Sequence, residues 1–430
     1  MVSRRAFLYG SALAAGSAAL PAQAAPQTVD SDCRPLPPSI AALKSMKEQA
    51  KPISNDERQS RLAKARELMV ANRIDAIMLT AGTSLEYFTG IRWWGGERLF
   101  ALILPAKSAA FFVCPYFETD RSHEQIAKSP LADAEVRYWN EDESPYRLVA
   151  QALKDRALAA GTLGIGENTP FVFSHGVGLA AAQARITSAT RVTAGCRMVK
   201  SNHEIELMRL AAKVTLTAYA AAYNALQEGM TQHDFADMVA AAHRQQGFEG
   251  DAEIQVGQYS ALPHGSLTPQ VIRDGTILLM DGGCKVEGYV SDISRTFVLG
   301  KPSDKMRQVF DIVHRAQETA VHTARPGLPA EQVDAAARKV ITDAGYGAGY
   351  KYFTHRVGHG MGMDGHEWPY LVGGDTLPLK PNMTFSDEPG IYIRGEFGVR
   401  LEDDMHITEN GAELFTPQSP SLEHPFANVN

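Results

Sequence analysis

The chain carries one layout twice, 98 residues apart, and that repeat limits the folds open to it. A long Ala-rich helix is read from Ser201 or Asn202 to about Leu226. It breaks at Gly229, Met230 and Thr231, and a second helix over 232–246 ends at Gly247 and Phe248. The pattern returns as a helix over 303–324, a break at Pro326, Gly327, Leu328 and Pro329, and a helix over 330–344 closed by Gly345 and Tyr346. Ser or Asn ahead of an apolar-periodic run serves as an N-cap, because its side-chain oxygen satisfies an N–H of the first turn. Two copies are too few for a solenoid and fit two related halves facing each other across one cleft.

The repeat also carries chemistry. The first copy is followed by His264, then Asp281 and Asp292; the second by His359, then Glu388 and Glu402. An apolar strand over 276–280 delivers Asp281, and a glycine-rich hairpin returns through Asp292. Short strands over 383–385 and 398–401 lead to Glu388 and Glu402. A carboxylate that ends an apolar strand lies against a low-dielectric wall and is costly there without a cation. For a single acid, pairing with Arg295 or Arg400 is explanation enough. For four acids together with His359, the pattern points to two bound metal ions.

Between Gly358 and Pro369 four glycines fall in eight positions around His359 and His366, with His355 just upstream. Glycine so dense disfavours a helix through its backbone entropy. A loop or irregular strand that brings backbone close to an ion or substrate is expected instead.

The 430 residues exceed one ordinary core, so two domains are expected. An apolar content of 44%, a charged content of 21% and a net charge of −7 describe a soluble globular chain with no basic footprint for nucleic acid or an anionic membrane. The first residues differ. Ser3-Arg4-Arg5-Ala6-Phe7-Leu8, a mild apolar run over 8–20 and Ala22-Gln23-Ala24 form a charged region, a short hydrophobic region and a small-residue cleavage site. That is a signal peptide over 1–24, and the paired arginines point to twin-arginine export to the periplasm. Beyond it no stretch approaches the ~20 apolar residues of a transmembrane helix. Cys33, Cys114, Cys196 and Cys284 are scattered, without a C-x-x-C pair, and read as buried thiols or at most one disulfide.

A Pro-rich linker over 25–55 precedes an α/β region. Asp56-Glu57-Arg58 opens a helix carrying Leu62, Ala65, Leu68 and Met69. Strands over 75–80, 100–105, 109–115, 135–139 and 163–166 follow, with a helix over 147–159 among them. Trp93 and Trp94 are an exposed aromatic loop or a packing element.

Six motifs occur in order: His264; Asp281; Gly288-Tyr289 with Asp292-Ile293-Ser294-Arg295-Thr296; His359-Gly360-x-Gly362 with His366-Glu367-x-Pro369; Glu388-Pro389-Gly390-Ile391-Tyr392; and Gly398-Val399-Arg400-x-Glu402-Asp403. Together they resemble the pita-bread metallopeptidases, the family of Xaa-Pro aminopeptidases, prolidases, methionine aminopeptidases and creatinase. The resemblance implies an α/β (α+β) chain: a pseudo-two-fold pita-bread catalytic domain over 199–418, preceded by a creatinase-type N-terminal domain over 56–198 and followed by a tail over 419–430. It implies that Asp281 binds one metal, that Asp292 and Glu402 bridge both, and that His359 and Glu388 bind the other. Four carboxylates and one imidazole suit Mn²⁺ and admit Co²⁺ or Zn²⁺. By the same resemblance Glu388 is the general base, His264 and His366 are donors to the substrate carbonyl and its oxyanion, Arg400 orients Glu402, and His355 shapes the substrate pocket.

The expected activity is metal-dependent release of the residue before proline from small peptides, with a shared water as nucleophile and a homodimer as the assembly; the Trp93–Trp94 pair is the candidate contact. The alternatives are non-peptidase enzymes of the same fold, or a non-catalytic binding module. Creatinase-type hydrolases of small amides lack the full ligand set. Dimethylsulfoniopropionate lyases use an aspartate base near the glycine-rich stretch, where this chain has His366 before Glu367 and Asp364 two residues off. Binding modules have lost ligands that are intact here.

Overall fold

The computed structural model describes residues 35–429; the signal-peptide segment and Cys33 lie outside them. Within the linker, a short helix Pro38–Ala41 buries Ile40 against Ala218, Ala221 and Ala242, so this part is docked onto the catalytic helices.

The N-terminal domain is built on a six-stranded sheet. Its central strand Ala76–Thr80 pairs antiparallel with Ala101–Pro105 and parallel with Thr162–Ile165. Phe111–Pro115 and Glu135–Trp139 extend one side, and Arg185–Ser188 the other. Ala76–Thr80, Ala101–Pro105 and Phe111–Pro115 are buried along their whole length, which requires cover on both faces. Alternation divides them between two cores: Ile77, Leu79 and Leu102 pack with Leu62 and Met69, while Met78 and Ile103 pack with Val149 and Leu153. Leu62, Ala65 and Met69 come from the helix Asn55–Ala71, whose start is held by a reciprocal Ser54–Glu57 capping box.

The catalytic domain shows the repeat as structure. The helices Asn202–Tyr223 and Gln232–Gln245 precede a sheet in which Ile277–Val286 lies between Gly250–Val256 and Ile293–Val298. The helices Asp304–Thr323 and Ala330–Asp343 precede a second sheet ordered Glu367–Leu371, Gly358–Gly360, Thr384–Asp387, Asp403–Ile407, Ala412–Leu414. The two central glycine pairs adopt the same left-handed backbone, with φ of 92° and 83° at Gly229 and Gly327 and of 91° and 90° at Gly247 and Gly345. The sequence repeat is therefore a repeat of two turns that a Cβ would strain. The helices end slightly earlier than their periodicity suggests, at Tyr223 and Asp343. Sequence reading misses the short helices Thr83–Thr89, Thr119–Ala127, Phe171–Ala180 and Thr190–Arg197, each too short for its periodicity to stand out from the strands around it.

Among the described residues no helix is long and apolar enough to cross a membrane, and Cys114, Cys196 and Cys284 are buried free thiols.

A Cβ at Gly345 meets nothing within 4 Å, so Gly345→Ala isolates the conformational cost of the turn. That cost is about 1–2 kcal/mol. The substitution should lower the thermal midpoint while leaving bound metal unchanged; an unchanged midpoint would refute the strain.

Candidate metal centre

The residues 277–280 preceding Asp281 are wholly buried, and the strand runs on to Val286, so Asp281 is held midway along the central strand of the first sheet rather than at the end of an apolar strand over 276–280. Asp292 stands immediately before Ile293–Val298, and the pairing of Ser294 with Asp281 brings the two acids to the same region of the sheet. In the second half, His359 lies in a three-residue strand with a register shift between His359 and Gly360. The glycines there are a matter of space: a Cβ at Gly358 would sit 2.0 Å from the Ser386 carbonyl oxygen, and one at Gly360 2.7 Å from that of Glu367. The expected irregular strand is thus a bulged strand squeezed between two neighbours. Glu388 follows Thr384–Asp387, and Glu402 lies between Phe397–Arg400 and Asp403–Ile407.

These residues line one cleft of about 670 Å³, with His264, His355, His366 and Arg400 in its walls. Ligand atoms of Asp281, Asp292 and Glu402 all fall within 4.8 Å of one another, as do those of His359, Glu388 and Glu402. Glu402 belongs to both groups. His359 Nε2 is 3.3 Å from Glu388 Oε1 and 3.7 Å from Asp292 Oδ2.

Burial and mutual repulsion push the carboxyl groups up. Asp292 and Glu402 lie well above the ordinary carboxylate range, and Glu388 is raised to about 7 by burial and Asp281, against the pull of Arg400. Acids this close cannot all ionise without added positive charge. His359, by contrast, is lowered to about 3, chiefly by burial, and stays neutral. Its Nδ1–H donates to the Gly360 carbonyl at 3.2 Å, which leaves the Nε2 lone pair free. Two oxygen-rich groups that share a carboxylate, with one neutral imidazole, fit hard divalent cations.

Supporting residues complete the site. Ser294 Oγ lies 2.6 Å from Asp281 Oδ1 and from Glu402 Oε2, and it accepts from Arg400 Nε at 2.9 Å. Arg400 meets Asp281 Oδ2 at 2.5 Å and stands 3.7 Å from Glu402. Its direct partner is therefore Asp281, and it reaches Glu402 through Ser294. Glu402, the expected partner, lies within ion-pair range, and the contact with Asp281 is the shorter of the two. His355 has both nitrogens engaged: Nδ1–H donates to the Arg356 carbonyl at 2.8 Å, and Nε2 accepts from Tyr392 at 2.7 Å. Tyr392 in turn accepts from Arg400 at 3.1 Å. His355 thus shapes the cleft through Tyr392 and Arg400. His366 stacks on His359, with ring centroids 3.7 Å apart. Ser294 and Tyr392 lie inside motifs visible in the sequence, yet no spacing rule marks either as a partner.

The segment that carries His366 is braced by a buried ion cluster. Glu367 accepts N–H bonds from Met363 and Asp364 at 3.0 Å and pairs with Arg197 and Lys200. Asp364 is bound by Arg197 and by Thr83, each at 2.5 Å. Thr83 and Arg197 belong to helices of the N-terminal domain, so that domain helps to hold the catalytic loop.

Comparison with known proteins gives this centre a family. Residues 206–409 match the metallopeptidase family M24, and residues 61–199 match the creatinase/prolidase N-terminal domain. An Xaa-Pro dipeptidase of Lactobacillus delbrueckii subsp. lactis is 32% identical over 84% of this chain and 98% of that protein. An Xaa-Pro dipeptidase of Pyrococcus furiosus is 33% identical over 85% of this chain and 99% of that protein. The crystal structure of dipeptidase PepE from Mycobacterium ulcerans superposes with a TM-score of 0.81 at 34% identity, covering 87% of this chain and 99% of that one. The chain belongs to the M24 metallopeptidases, with the creatinase-type N-terminal domain and pita-bread catalytic domain of the prolidase branch.

The pKa pattern sets the pH dependence of metal binding. Below about 7 Glu388 holds a proton that a cation must displace, whereas His359 is neutral throughout. Mn²⁺ affinity should therefore fall as pH drops from 8 to 6, with net proton release on binding. Calorimetry in two buffers of different ionisation enthalpy measures both; a pH-independent affinity without proton release would contradict this electrostatic account.

Proposed function

We propose that the chain is a dinuclear, Mn²⁺-dependent hydrolase that removes the residue preceding proline from short peptides. The observation that carries this reading is the carboxylate Glu402, shared by two ligand groups within one cleft. Asp281 would hold one ion, Asp292 and Glu402 both, and His359 and Glu388 the other. When bound, such a pair supplies Lewis acidity that polarises the scissile carbonyl and lowers the pKa of a water.

The protein's own groups do the rest. Glu388 Oε1 accepts from Ser386 at 3.2 Å, which leaves Oε2 to take the proton of the attacking water. A carboxylate in that position is suited to accept that proton and return it to the leaving proline nitrogen. His264 and His366 stand in the cleft wall, where they would donate to the carbonyl oxygen as it becomes an oxyanion. The paired His355, Tyr392 and Arg400 keep Asp281 oriented.

The lyase alternative asks for a free aspartate base beside the glycine-rich stretch. Asp364 is the residue available, and its contacts with Arg197 and Thr83 commit it to holding the loop. The names of the relatives favour a dipeptide substrate. Export through the twin-arginine route to the periplasm is supported by the first residues. A homodimer is supported by Trp94, which is 65% exposed under the Arg121 guanidinium, whereas Trp93 stacks into the core on Phe100. Trp94→Ala should weaken the dimer in sedimentation; an unchanged oligomeric state would remove Trp94 from the contact.

Stripped protein reloaded with Mn²⁺ should cleave Ala-Pro, and Ala-Pro-Ala less well, with no turnover of Ala-Ala-Ala or by the metal-free chain. Asp292→Asn should lose both bound metal and rate, because it removes a bridging ligand. His366→Ala should keep its metal and lose about 10²-fold in kcat. Bound metal with no peptide cleaved would transfer the reading to a non-peptide substrate.

A further inference from the structure

His366 has two chemically possible roles in this cleft. One of its nitrogens lies within 4.8 Å of ligand atoms of Asp292 and His359, so on distance alone it is a further metal ligand. A hydrogen-bond donor is the other role. The two demand different protonation of the ring. A ligand needs an available lone pair on the metal-facing nitrogen, whereas a donor needs a proton on its substrate-facing nitrogen.

Arg356 decides between them. Its Nη2 lies 2.8 Å from His366 Nδ1. A guanidinium has N–H donors and no acceptor, so Nδ1 must accept. In the neutral ring the remaining proton then resides on Nε2. Neither nitrogen keeps a lone pair for an ion: the one on Nδ1 is taken by Arg356, and Nε2 is protonated. The guanidinium is itself seated, lying over the Tyr370 ring at 4.2 Å from its centroid. Tyr370 is the register partner of His359 across the strand pair. The seat of Arg356 is thus built on the same two strands that carry the metal-binding imidazole.

We propose that Arg356 is a positioning residue that sets the tautomer of His366, making it an Nε2–H donor and withholding it from the metal centre. The catalytic consequence rests on the peptidase reading above; the tautomer itself does not. With Arg356 absent, the Nδ1–H form becomes accessible and frees Nε2 as a ligand atom.

The test begins with a readout that needs no turnover. Long-range ¹H–¹⁵N spectra of the metal-free and Zn²⁺-loaded full chain, with His366 assigned by difference against His366→Gln, report which nitrogen carries the proton. The expected result is an unprotonated Nδ1 in the native protein and in Arg356→Lys, which retains a donor, and loss of that preference in Arg356→Met. In Arg356→Met the Mn²⁺ dissociation constant measured by calorimetry should be unchanged or lower, while kcat on Ala-Pro falls about 10²-fold with little change in KM. Arg356→Lys should recover most of kcat. An Nδ1–H tautomer in the native chain, an unchanged tautomer in Arg356→Met, or Mn²⁺ affinity that weakens in that variant would each overturn the inference. If no variant cleaves Ala-Pro, the peptidase reading fails and the tautomer and metal measurements still decide this one.

Discussion

The repulsion among buried carboxylates is the constraint on which this structure rests. Asp281, Asp292, Glu388 and Glu402 converge from two half-domains on one cleft, and their burial raises three of them well above or to the top of the carboxylate range. A core that only needed stability would not collect such groups, because an unpaired buried charge is expensive. The arrangement becomes favourable when cations supply the missing charge. The oxygen-rich donor set, the neutral His359 and the bridging Ser294 are all consistent with that single requirement.

The rest of the fold holds those acids at fixed distances. Arg400 lies against Asp281 and is tied to Tyr392 and, through it, to His355, so residues from both halves of the catalytic domain form one hydrogen-bonded wall. Behind it Arg295 pairs with Asp403 at 2.7 Å in a fully buried contact and keeps the strand after Glu402 in place. The Arg197, Lys200 and Glu367 cluster secures the other side. Breaking a buried pair of this kind costs about 3–5 kcal/mol, since the partner charge is stranded. The N-terminal domain, which contributes no candidate ligand, is thereby coupled to the catalytic loop.

Much of this was legible in the sequence because the repeat and the ligands obey local rules. Glycines at a constant offset mark turns that need positive φ, and Asp292, Glu388 and Glu402 flank short strands as their apolar runs suggest, whereas Asp281 lies within a strand that continues to Val286. Ser294, Tyr392 and Arg356 were not legible as partners. Each lies beside a recognised residue, yet its role depends on which face of a strand it takes and on a contact made across the fold. The short helices Thr83–Thr89 and Thr190–Arg197 escaped for a related reason: at seven and eight residues they span barely two turns, too few for a periodic pattern to stand out, and they are held by tertiary burial.

The sequence by itself determined the two-fold architecture, the candidate ligands and their chemical hardness, because helix breaks, strand ends and residue types are local properties. Only the tertiary structure decided how those residues divide the work. It showed that Glu402 is common to two ligand groups, that Arg400 contacts Asp281 first, that Asp364 is committed to Arg197, and that Arg356 faces Nδ1 of His366. The physical reason is that hydrogen bonds and like-charge repulsion act over a few ångströms between groups that lie from ten to more than a hundred residues apart, and those distances exist only once the chain has folded.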